Sequence, residues 1–325
     1  MHFPVSGVDV LPIIPPMVAL LVSSLTASAG VSGAFLLLPF QMSVLHYTSP
    51  SVSPTNLIYN IVAIPGGLYR YIKEGRMAWP LTWSVVTGTL PGVFFGAFIR
   101  IRYLPDPKTF KLFVGLVLLY LGYRLLSEVL GWNKKAKERN KMMQDKFAEQ
   151  VAKLKEENSS RIAAGLPAEA VVKTKSISWK RIEYEFWGET YSFGTLSIFV
   201  LSLVVGLIGG IYGIGGGAII APFCVTVLGL PIYTVAGAAM AGTFITSIAG
   251  VMYYYILAVS GIAGGVAVTP DWMLGVLFGV GGLLGTYVGA RVQKFLPDRV
   301  IKVILTVLIM FVATSYISQY ILSVH

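Results

Sequence analysis

Eight apolar segments, each long enough to cross a lipid bilayer, constrain this chain more than any other feature. Four precede a polar central stretch, at residues 11–47, 52–72, 79–101 and 109–130, and four follow it, at 193–230, 233–260, 271–292 and 299–322. A helix needs about 20 apolar residues to cross the hydrocarbon core. The segments do not alternate between apolar and polar residues as the strands of a membrane β-barrel do. The sequence therefore predicts an all-α polytopic membrane protein.

The composition supports the same class of protein. Hydrophobic residues make up 55% of the 325 residues and charged residues 12%, with a mean hydropathy of +0.73, which excludes an ordinary soluble enzyme. The net charge is +10, but the basic residues cluster beside apolar segments, so the positive-inside bias explains them without a nucleic-acid partner. Cys224 is the only cysteine, which excludes a disulfide and a cysteine metal site.

The polar central stretch divides the chain into three parts. We predict an N-terminal membrane repeat at 1–130, a charged connector at 131–190 and a C-terminal membrane repeat at 191–325. The connector contains a predicted amphipathic helix at 133–157, whose apolar residues recur on one side. We expect this helix to be cytoplasmic and to rest on lipid headgroups or on a second copy of the chain, which leaves homo-oligomerisation and a soluble partner open.

Three aromatic residues of the connector precede the fifth apolar segment. Trp179, Tyr184 and Trp187 are mixed with charged residues. This mixture is typical of an aromatic belt at the membrane surface, so we expect these side chains to lie among the lipid headgroups.

The first segment of each half is too long for one crossing and is interrupted by glycine. The interruptions lie at 29–33 and 213–217. A shift of 183 residues superimposes the two interruptions and the Pro-Phe pair that follows each: Gly30 on Gly213, Gly33 on Gly216, Pro39 on Pro222 and Phe40 on Phe223. The two halves are therefore predicted to be structural repeats.

Two further motifs recur in both halves. Glycine pairs with a spacing of four, which allows close helix packing, lie at Gly92 and Gly96 and at Gly285 and Gly289. Each pair is followed by Leu-Pro-Asp, which ends at Asp106 in one half and Asp298 in the other. Each aspartate is predicted to cap the N-terminus of the next helix.

The distribution of Lys and Arg favours one of two topologies. If all eight segments cross the membrane once, eight basic residues fall outside: Arg100, Arg102, Lys108, Lys111, Arg291, Lys294, Arg299 and Lys302. If the interrupted segment of each half enters and leaves on one side, only the first four remain outside, and the halves become inverted repeats. The positive-inside rule favours this re-entrant topology. An interrupted helix that crosses the membrane stays open as the alternative.

The glycine interruptions are the predicted substrate site. Unpaired backbone is not tolerated against lipid, so each interruption is expected to face a cavity inside the protein. There, free amides and the positive end of a helix beginning near Gly217 would attract an anion, and two repeats would bring two such ends together. The candidate substrate-binding residues are Gly30, Ser32, Gly33, Gln41, Thr55, Asn56, Asn60, Gly213, Gly215, Gly216, Gly217, Thr243, Thr246 and Ser247.

Other kinds of site have less support. Because no Asp or Glu lies deep in a segment and the three histidines are scattered, we predict no metal and no cofactor. Gly213-x-Gly215-x-x-Ala218 imitates a dinucleotide fingerprint but lacks a preceding strand. Since the sequence has no set of nucleophile, base and acid, we predict no enzyme. For the polar side chains near the interruptions, hydrogen bonding between helices is an equally good interpretation.

One run of residues resembles a known family. The sequence Gly-Gly-Ile-Tyr-Gly-Ile-Gly-Gly-Gly-Ala-Ile-Ile-Ala-Pro at 209–222, followed by Gly-Leu-Pro at 229–231 and the stretch 238–243, is similar to the second-half signature of the sulfite exporter TauE/SafE family. The resemblance implies a duplicated four-segment plan and transport of small anions, mostly sulfur-containing ones such as sulfite and organosulfonates, across the cytoplasmic membrane. The glycine run at 29–33 is poorer than the family's usual first-half run.

These observations predict a secondary transporter that holds a small sulfur-containing anion between the interrupted helices. We expect it in the inner membrane with a cytoplasmic connector, and with the anion and the bilayer as its partners. Two other functions stay open. An anion channel would need no ionisable coupling group, and a membrane scaffold would recruit a soluble partner through the central helix.

Overall fold

The computed structural model describes residues 1–28, 31–73, 75, 77–132, 172–186, 188–217, 219–226, 228–292 and 298–324. Its helices are α1 (Ile14–Ser28), α2 (Ala34–Ser43), α3 (Val52–Ala63), α4 (Pro65–Lys73), α5 (Trp79–Arg102), α6 (Pro107–Leu130), α7 (Thr195–Tyr212), α8 (Ile220–Thr226), α9 (Ile232–Val259), α10 (Trp272–Val292) and α11 (Asp298–Val324). Its strands are β1 (His2–Phe3), β2 (Val8–Asp9), β3 (Lys173–Ile177), β4 (Arg181–Phe186) and β5 (Glu189–Gly194).

Long apolar helices dominate the fold. Among the described residues, six helices are long and apolar enough to cross a membrane, namely α5, α6, α7, α9, α10 and α11. α3 and α4 form a further element that is divided just before Pro65, because proline supplies no amide hydrogen to continue a helix. The prediction of an all-α polytopic membrane protein is confirmed.

The helix contacts have the pattern that a two-fold repeat produces. α1 packs along α10 as α5 packs along α7, and α3 contacts α10 as α9 contacts α5. α6 packs on α11, and α3 packs on α9. Exchanging the two halves turns each of the first four helix contacts into its counterpart and leaves the pairs α6 with α11 and α3 with α9 unchanged. The contacts support the repeat, which stays a prediction.

Glycine allows two of these helix pairs to approach to backbone contact. A β-carbon on Gly96 of α5 would lie 2.9 Å from the amide nitrogen of Ile211 in α7. One on Gly285 of α10 would lie 2.9 Å from the Cα of Leu20 in α1. Since real β-carbons do not come so close to backbone, only glycine fits here. The packing role predicted for the glycine pairs is confirmed.

One of the two predicted aspartate caps can be seen. Asp106 precedes α6 and accepts a hydrogen bond at Oδ2 from the backbone amide of Thr109, at 2.9 Å. The cap satisfies one of the amides that have no partner inside the helix. The side chain of Asp298 lies outside what the structure describes.

The first segment of the N-terminal half begins and ends at the same end of the bundle. We name the two ends of the bundle after residues that lie there. The Arg102 end is the end at which α5 ends, and the Lys73 end is the opposite one, at which α4 ends. Just before α1, Ser6 donates a 2.8 Å hydrogen bond to Asp271, which precedes α10. Ser43, the last residue of α2, makes a 2.6 Å hydrogen bond to Tyr316 near the end of α11. These partners lie at the Arg102 end, beside the start of α6 and the ends of α5 and α9.

The first segment of the C-terminal half is related to the Lys73 end in the same way. Tyr184, which precedes α7, makes a 2.9 Å hydrogen bond to Thr234 in the first turn of α9. The same hydrophobic cluster holds Cys224 of α8 and Ala78 at the start of α5. α7 therefore begins, and α8 ends, at the Lys73 end. These contacts favour the re-entrant topology over an interrupted crossing.

A small antiparallel sheet covers the Lys73 end. Its strand order is β3-β4-β5, with Tyr184 opposite Tyr191. The sequence analysis did not predict this sheet, because the alternation of β4 is short and lies between charged residues. Tyr184 is buried, so the interpretation as an aromatic belt is wrong for this residue. Trp179, at the turn between β3 and β4, is exposed.

A second, two-stranded sheet lies at the Arg102 end. β1 pairs with β2, and Phe3 and Val8 of this hairpin are buried in the largest hydrophobic cluster. Each half is thus preceded by a small β-structure at the end of the bundle where its first helix begins. Trp187 and the helix predicted at 133–157 lie outside the described residues.

Candidate functional site

The first interruption lies between α1 and α2. Gly30 lies outside the described residues, whereas Ser32 and Gly33 are described. Gly33 is buried, and a β-carbon on it would lie 2.8 Å from the Ser23 hydroxyl and closer still to that of Tyr59. These two hydroxyls are hydrogen-bonded to each other at 2.8 Å. Ser32, half-buried, accepts a 3.3 Å hydrogen bond from the amide of Ala34, so its side chain caps α2.

The second interruption is a tight backbone turn between α7 and α8. Gly213 and Gly215 have φ angles of +88° and +74°, which L-residues with side chains adopt only at a cost. A β-carbon on Gly213 would lie 2.8 Å from the backbone Cα of Ser53, and one on Gly216 would lie 2.5 Å from Thr89. α8 begins at Ile220, three residues after Gly217, and has only seven residues. The backbone of the turn, rather than a long helix dipole, dominates this site.

Asn56 of α3 joins the two interruptions. Its Nδ2 donates to the carbonyl oxygen of Ala34 at the first interruption and to that of Gly213 at the second, both at 3.0 Å. One turn later, Asn60 donates to the carbonyl oxygen of Ile214 at 3.0 Å. Gln41 of α2 donates to Oδ1 of Asn56 at 3.3 Å. The structure thus brings these three predicted side chains together at both interruptions.

The predicted residues of α9 contact the second interruption alone. The hydroxyl of Thr246 accepts a 2.9 Å hydrogen bond from the amide of Gly216. Thr243 packs against Gly215 and Gly217, but its hydroxyl donates to Ala239 in its own helix at 2.9 Å. The hydroxyl of Ser247 lies next to Gly215 and has no hydrogen-bond partner.

Thr55 is not brought to the interruptions. Its hydroxyl donates to the Ser51 carbonyl oxygen at 2.8 Å and accepts from the Asp271 amide at 2.9 Å. Thr55 therefore joins the starts of α3 and α10 at the Arg102 end. The sequence could not separate it from Asn56, because neighbouring residues on a helix point in directions about 100° apart.

Several polar groups at the interruptions lack a partner. The unpartnered side-chain atoms are Oε1 of Gln41, Oδ1 of Asn60 and Oγ of Ser247. The orientation of both amide side chains is fixed, because their nitrogens face oxygen acceptors. In the part of the chain that the structure describes, the backbone amides of Gly215 and Gly217 also find no acceptor. Buried polar groups are normally paired, so these atoms are available to water or to a ligand.

Two side chains that the sequence analysis missed support this arrangement. The hydroxyl of Tyr212, the last residue of α7, donates to the Phe35 carbonyl oxygen at 2.7 Å, which ties α7 to the start of α2. Ser53 donates to the Ile211 carbonyl oxygen at 2.9 Å. Tyr212 could have been identified from the sequence by its position directly before a glycine run inside an apolar segment.

A narrow cleft reaches the interruptions from the side of α6. Its volume is about 230 Å³, and it is lined by Phe35, Val117, Tyr120, Leu121, Arg124 and Ile219. Phe35 follows the first interruption and Ile219 belongs to the second. Arg124 pairs with Glu128 at 3.1 Å, and Glu128 also pairs with Lys302 of α11 at 3.3 Å. The cleft therefore lies between α6 and the residues that follow the two interruptions.

Metal and dinucleotide chemistry find no support within the described residues. They contain no group of three or more His, Cys, Asp or Glu side chains that could hold a metal ion. Gly213 and Gly215 follow helix α7 rather than a strand. A dinucleotide fingerprint requires that strand, because the phosphates bind between it and the next helix.

A comparison with protein families decides the class of this arrangement. The family model for the sulfite exporter TauE/SafE matches residues 16–316. The chain belongs to the sulfite exporter TauE/SafE family. As a member it is a multi-pass membrane transport protein for sulfite or a related anion, and not an enzyme. No curated protein and no solved structure matches the chain.

Proposed function

We propose that this TauE/SafE protein is a secondary transporter of sulfite or organosulfonates and holds the anion between the helix interruptions at 30–33 and 213–217. The observation that carries the proposal is the double hydrogen bond of Asn56. One side chain hydrogen-bonds to the backbone at both interruptions, so a ligand that moves one interruption would also move the other. Transporters built from repeats bind their substrates where two interrupted helices meet.

The chemistry of the described groups suits a small anion. The amides of Gly215 and Gly217 are donors without acceptors among the described residues, and the hydroxyl of Ser247 can donate as well. Backbone amides in a tight turn bind oxyanions without a formal positive charge. Oε1 of Gln41 and Oδ1 of Asn60 are acceptors, which we assign to water or to a hydroxyl or ammonium group of the substrate.

We further propose an inverted arrangement of the two halves in the inner membrane. The ends of the interrupted segments support it, with α1 and α2 at the Arg102 end and α7 and α8 at the Lys73 end. The positive-inside rule assigns the Lys73 end, and with it the connector, to the cytoplasm. Labelling of single cysteines introduced at Lys111 and Lys173 in intact cells tests the assignment. Labelling of position 173 alone would contradict it.

Uptake of radiolabelled sulfite into proteoliposomes tests the transport function. We expect saturable uptake that unlabelled sulfonates inhibit and that counter-flow accelerates. Two pH gradients would show whether protons are coupled. Flux that does not saturate would indicate a channel, and absence of flux of sulfite and sulfonates in folded protein would overturn the proposal.

A variant without the connector separates transport from a scaffold role. The deletion should remove residues 133–171 and spare Val172, whose amide hydrogen-bonds to Gly75, and strand β3. A transporter should retain its flux, whereas a scaffold should lose partner recruitment.

Ser247→Ala is the sharpest test of where the anion binds. The hydroxyl of Ser247 has no partner within the described residues, so its removal costs no internal hydrogen bond. We expect unchanged thermal stability and a several-fold higher KM for sulfite. Ser202→Ala is the matched control, because this hydroxyl is also buried and unpartnered but faces Gly88 of α5. Equal KM values for both variants and wild type would remove Ser247 from the site.

A further inference from the structure

Arg100 is a charged residue buried completely within the helix bundle. Its side chain has no exposed surface. Nη1 donates to the carbonyl oxygen of Leu104, and the guanidinium carbon lies 3.6 Å from the centre of the Phe110 ring. Nε and Nη2 have no hydrogen-bond partner, and no carboxylate in the described ranges pairs with Arg100. A buried cation without a counter-ion is unfavourable, so a bound anion would stabilise Arg100 in this position.

The two unpartnered donors define the shape of that anion. Nε and Nη2 lie on the same edge of the planar guanidinium, so their hydrogens point in the same direction. This fork matches two oxygen atoms bonded to one central atom. A polyatomic oxyanion offers one oxygen atom to each of the two hydrogens, whereas a monatomic anion such as chloride must share one atom between them. The geometry therefore favours a small oxyanion.

Helix packing places Arg100 next to the second interruption. α5 and α7 run parallel, with Gly92 against Leu207 and Gly96 against Ile211. One turn further along α5, Arg100 is level with the end of α7, where the turn at 213 begins. Tyr254 supports this location, because its hydroxyl donates to the Gly210 carbonyl oxygen at 2.9 Å and its side chain belongs to the same buried cluster as Ala97 and Ile101 of α5.

We propose that Arg100 binds a small oxyanion between the interruption at 213–217 and the Arg102 end. The proposal rests on the transport function above and adds a second position for the same anion. Two further basic residues at this end would raise the local anion concentration: Lys108 and Lys111. An anion that arrives from the Arg102 end meets the buried guanidinium before it reaches the neutral groups of the interruptions.

A purely structural role is the competing explanation. Arg100 also joins α5 to the loop before α6 through Leu104 and to α6 through Phe110. A structural arginine would affect stability but would leave anion binding unchanged. The test therefore needs a binding measurement in addition to a stability measurement.

Equilibrium dialysis of the full-length protein in detergent, with radiolabelled sulfite at constant ionic strength, measures the number of bound anions. We expect Arg100→Gln to bind one sulfite fewer per chain than wild type. Arg102→Gln is the matched control, because it removes an exposed charge two residues away, and it should bind as wild type does. Equal stoichiometry and affinity in Arg100→Gln and wild type would overturn the proposal.

Arg100→Lys keeps the test decisive if the glutamine variant does not fold. Lysine retains the charge but offers no planar fork. We expect at least tenfold weaker competition by methanesulfonate and unchanged competition by chloride. Wild-type selectivity for methanesulfonate over chloride in this variant would also overturn the proposal.

The proteoliposome flux separates this proposal from the transport function. If the wild-type protein transports sulfite and the Arg100 variants have unchanged sulfite binding and KM, the Arg100 site is wrong and the transport function stands. If sulfite binding depends on Arg100 but neither sulfite nor sulfonates are transported, the transport function is wrong and the Arg100 site stands.

Discussion

The two interruptions have the same place in the two halves, but they use different chemistry. The first half supplies side-chain amides, since Gln41, Asn56 and Asn60 all hydrogen-bond at the interruptions. The second half supplies mainly backbone, in a turn where Gly213 and Gly215 have positive φ angles. The polar side chains of α3 donate to carbonyl oxygens of the turn, whereas those of α9 mostly bond within their own helix.

The difference shows how two segments that are predicted to be repeats can differ in the chemistry they supply. A glycine turn exposes amides and carbonyl groups together, and its carbonyl groups need donors that other segments must supply. Asn56 supplies one donor to each interruption, because a carboxamide nitrogen carries two hydrogens. The second half contributes the glycine turn, and the first half contributes side chains that hydrogen-bond to it.

The largest difference between the two interruptions should come from the substitutions Gly213→Ala and Gly33→Ala. The new methyl group at 213 meets the backbone of Ser53 in addition to the strain of a positive φ, whereas at 33 it meets the hydroxyl oxygens of two side chains, Ser23 and Tyr59. We expect Gly213→Ala to lower the free energy of unfolding by about 3 kcal/mol or more. Gly33→Ala should lower it by less, because the ends of the Ser23 and Tyr59 side chains can shift more readily than the backbone of Ser53. Thermal unfolding in detergent measures both.

Gly261→Ala is the control for this pair. Gly261 has a φ of +78°, but a β-carbon there would have open space around it. Gly261→Ala should lower the free energy of unfolding only by the strain of the left-handed conformation, about 1 kcal/mol. Equal losses of unfolding free energy in Gly213→Ala and Gly261→Ala would show that the contact with Ser53 does not affect stability.

Asn56→Ala should be the next largest effect. It leaves the carbonyl groups of Ala34 and Gly213 without this donor, at about 1–3 kcal/mol for each unsatisfied group. We expect weakened sulfite binding together with reduced stability. Thr243→Ala, whose hydroxyl bonds within α9, should change stability by less than about 1 kcal/mol. A larger effect of Thr243→Ala would reverse the assignment of roles to the two halves.

Thr246→Val tests the one side-chain hydrogen bond that α9 makes to the turn. It removes the acceptor of the Gly216 amide while preserving the shape of the side chain. We expect a loss of about 1–2 kcal/mol, measured by thermal unfolding. Thr246→Ser keeps the hydroxyl and should retain most of the stability. A serine variant as unstable as the valine variant would assign the effect to packing.

Asp106→Ala should have the smallest effect of the series, about 1 kcal/mol. The hydrogen bond from the Thr109 amide lowers the pKa of the Asp106 carboxyl below its usual value. The cap's contribution is therefore present at neutral pH and is lost as the pH falls through the lowered pKa. Asp106→Asn keeps the oxygen acceptor and should remove only this pH dependence. Unfolding curves from neutral to acidic pH that coincide for all three proteins would contradict the charged cap.

The pattern of the chain allowed the helices and the class of site to be predicted, but it did not predict which side chains meet. Segment 79–101 was predicted and α5 spans Trp79–Arg102, because apolar length alone defines such a helix. Asn56 and Thr55 looked equivalent in the sequence, yet only Asn56 faces the interruptions. Arg100 was treated as an outside charge, although its position inside an apolar segment was the available signal for a buried, functional residue.

The sequence by itself determined the membrane class, the long apolar helices and the glycine contacts between helices. These properties follow from hydrophobic length and from the lack of a side chain at glycine, which are local. The tertiary structure decided that α7 and α8 return to one end, that Asn56 joins the interruptions and that Arg100 is buried without a counter-ion. Each of these depends on contacts between residues more than 150 positions apart or on the packing of several helices, which no local pattern specifies.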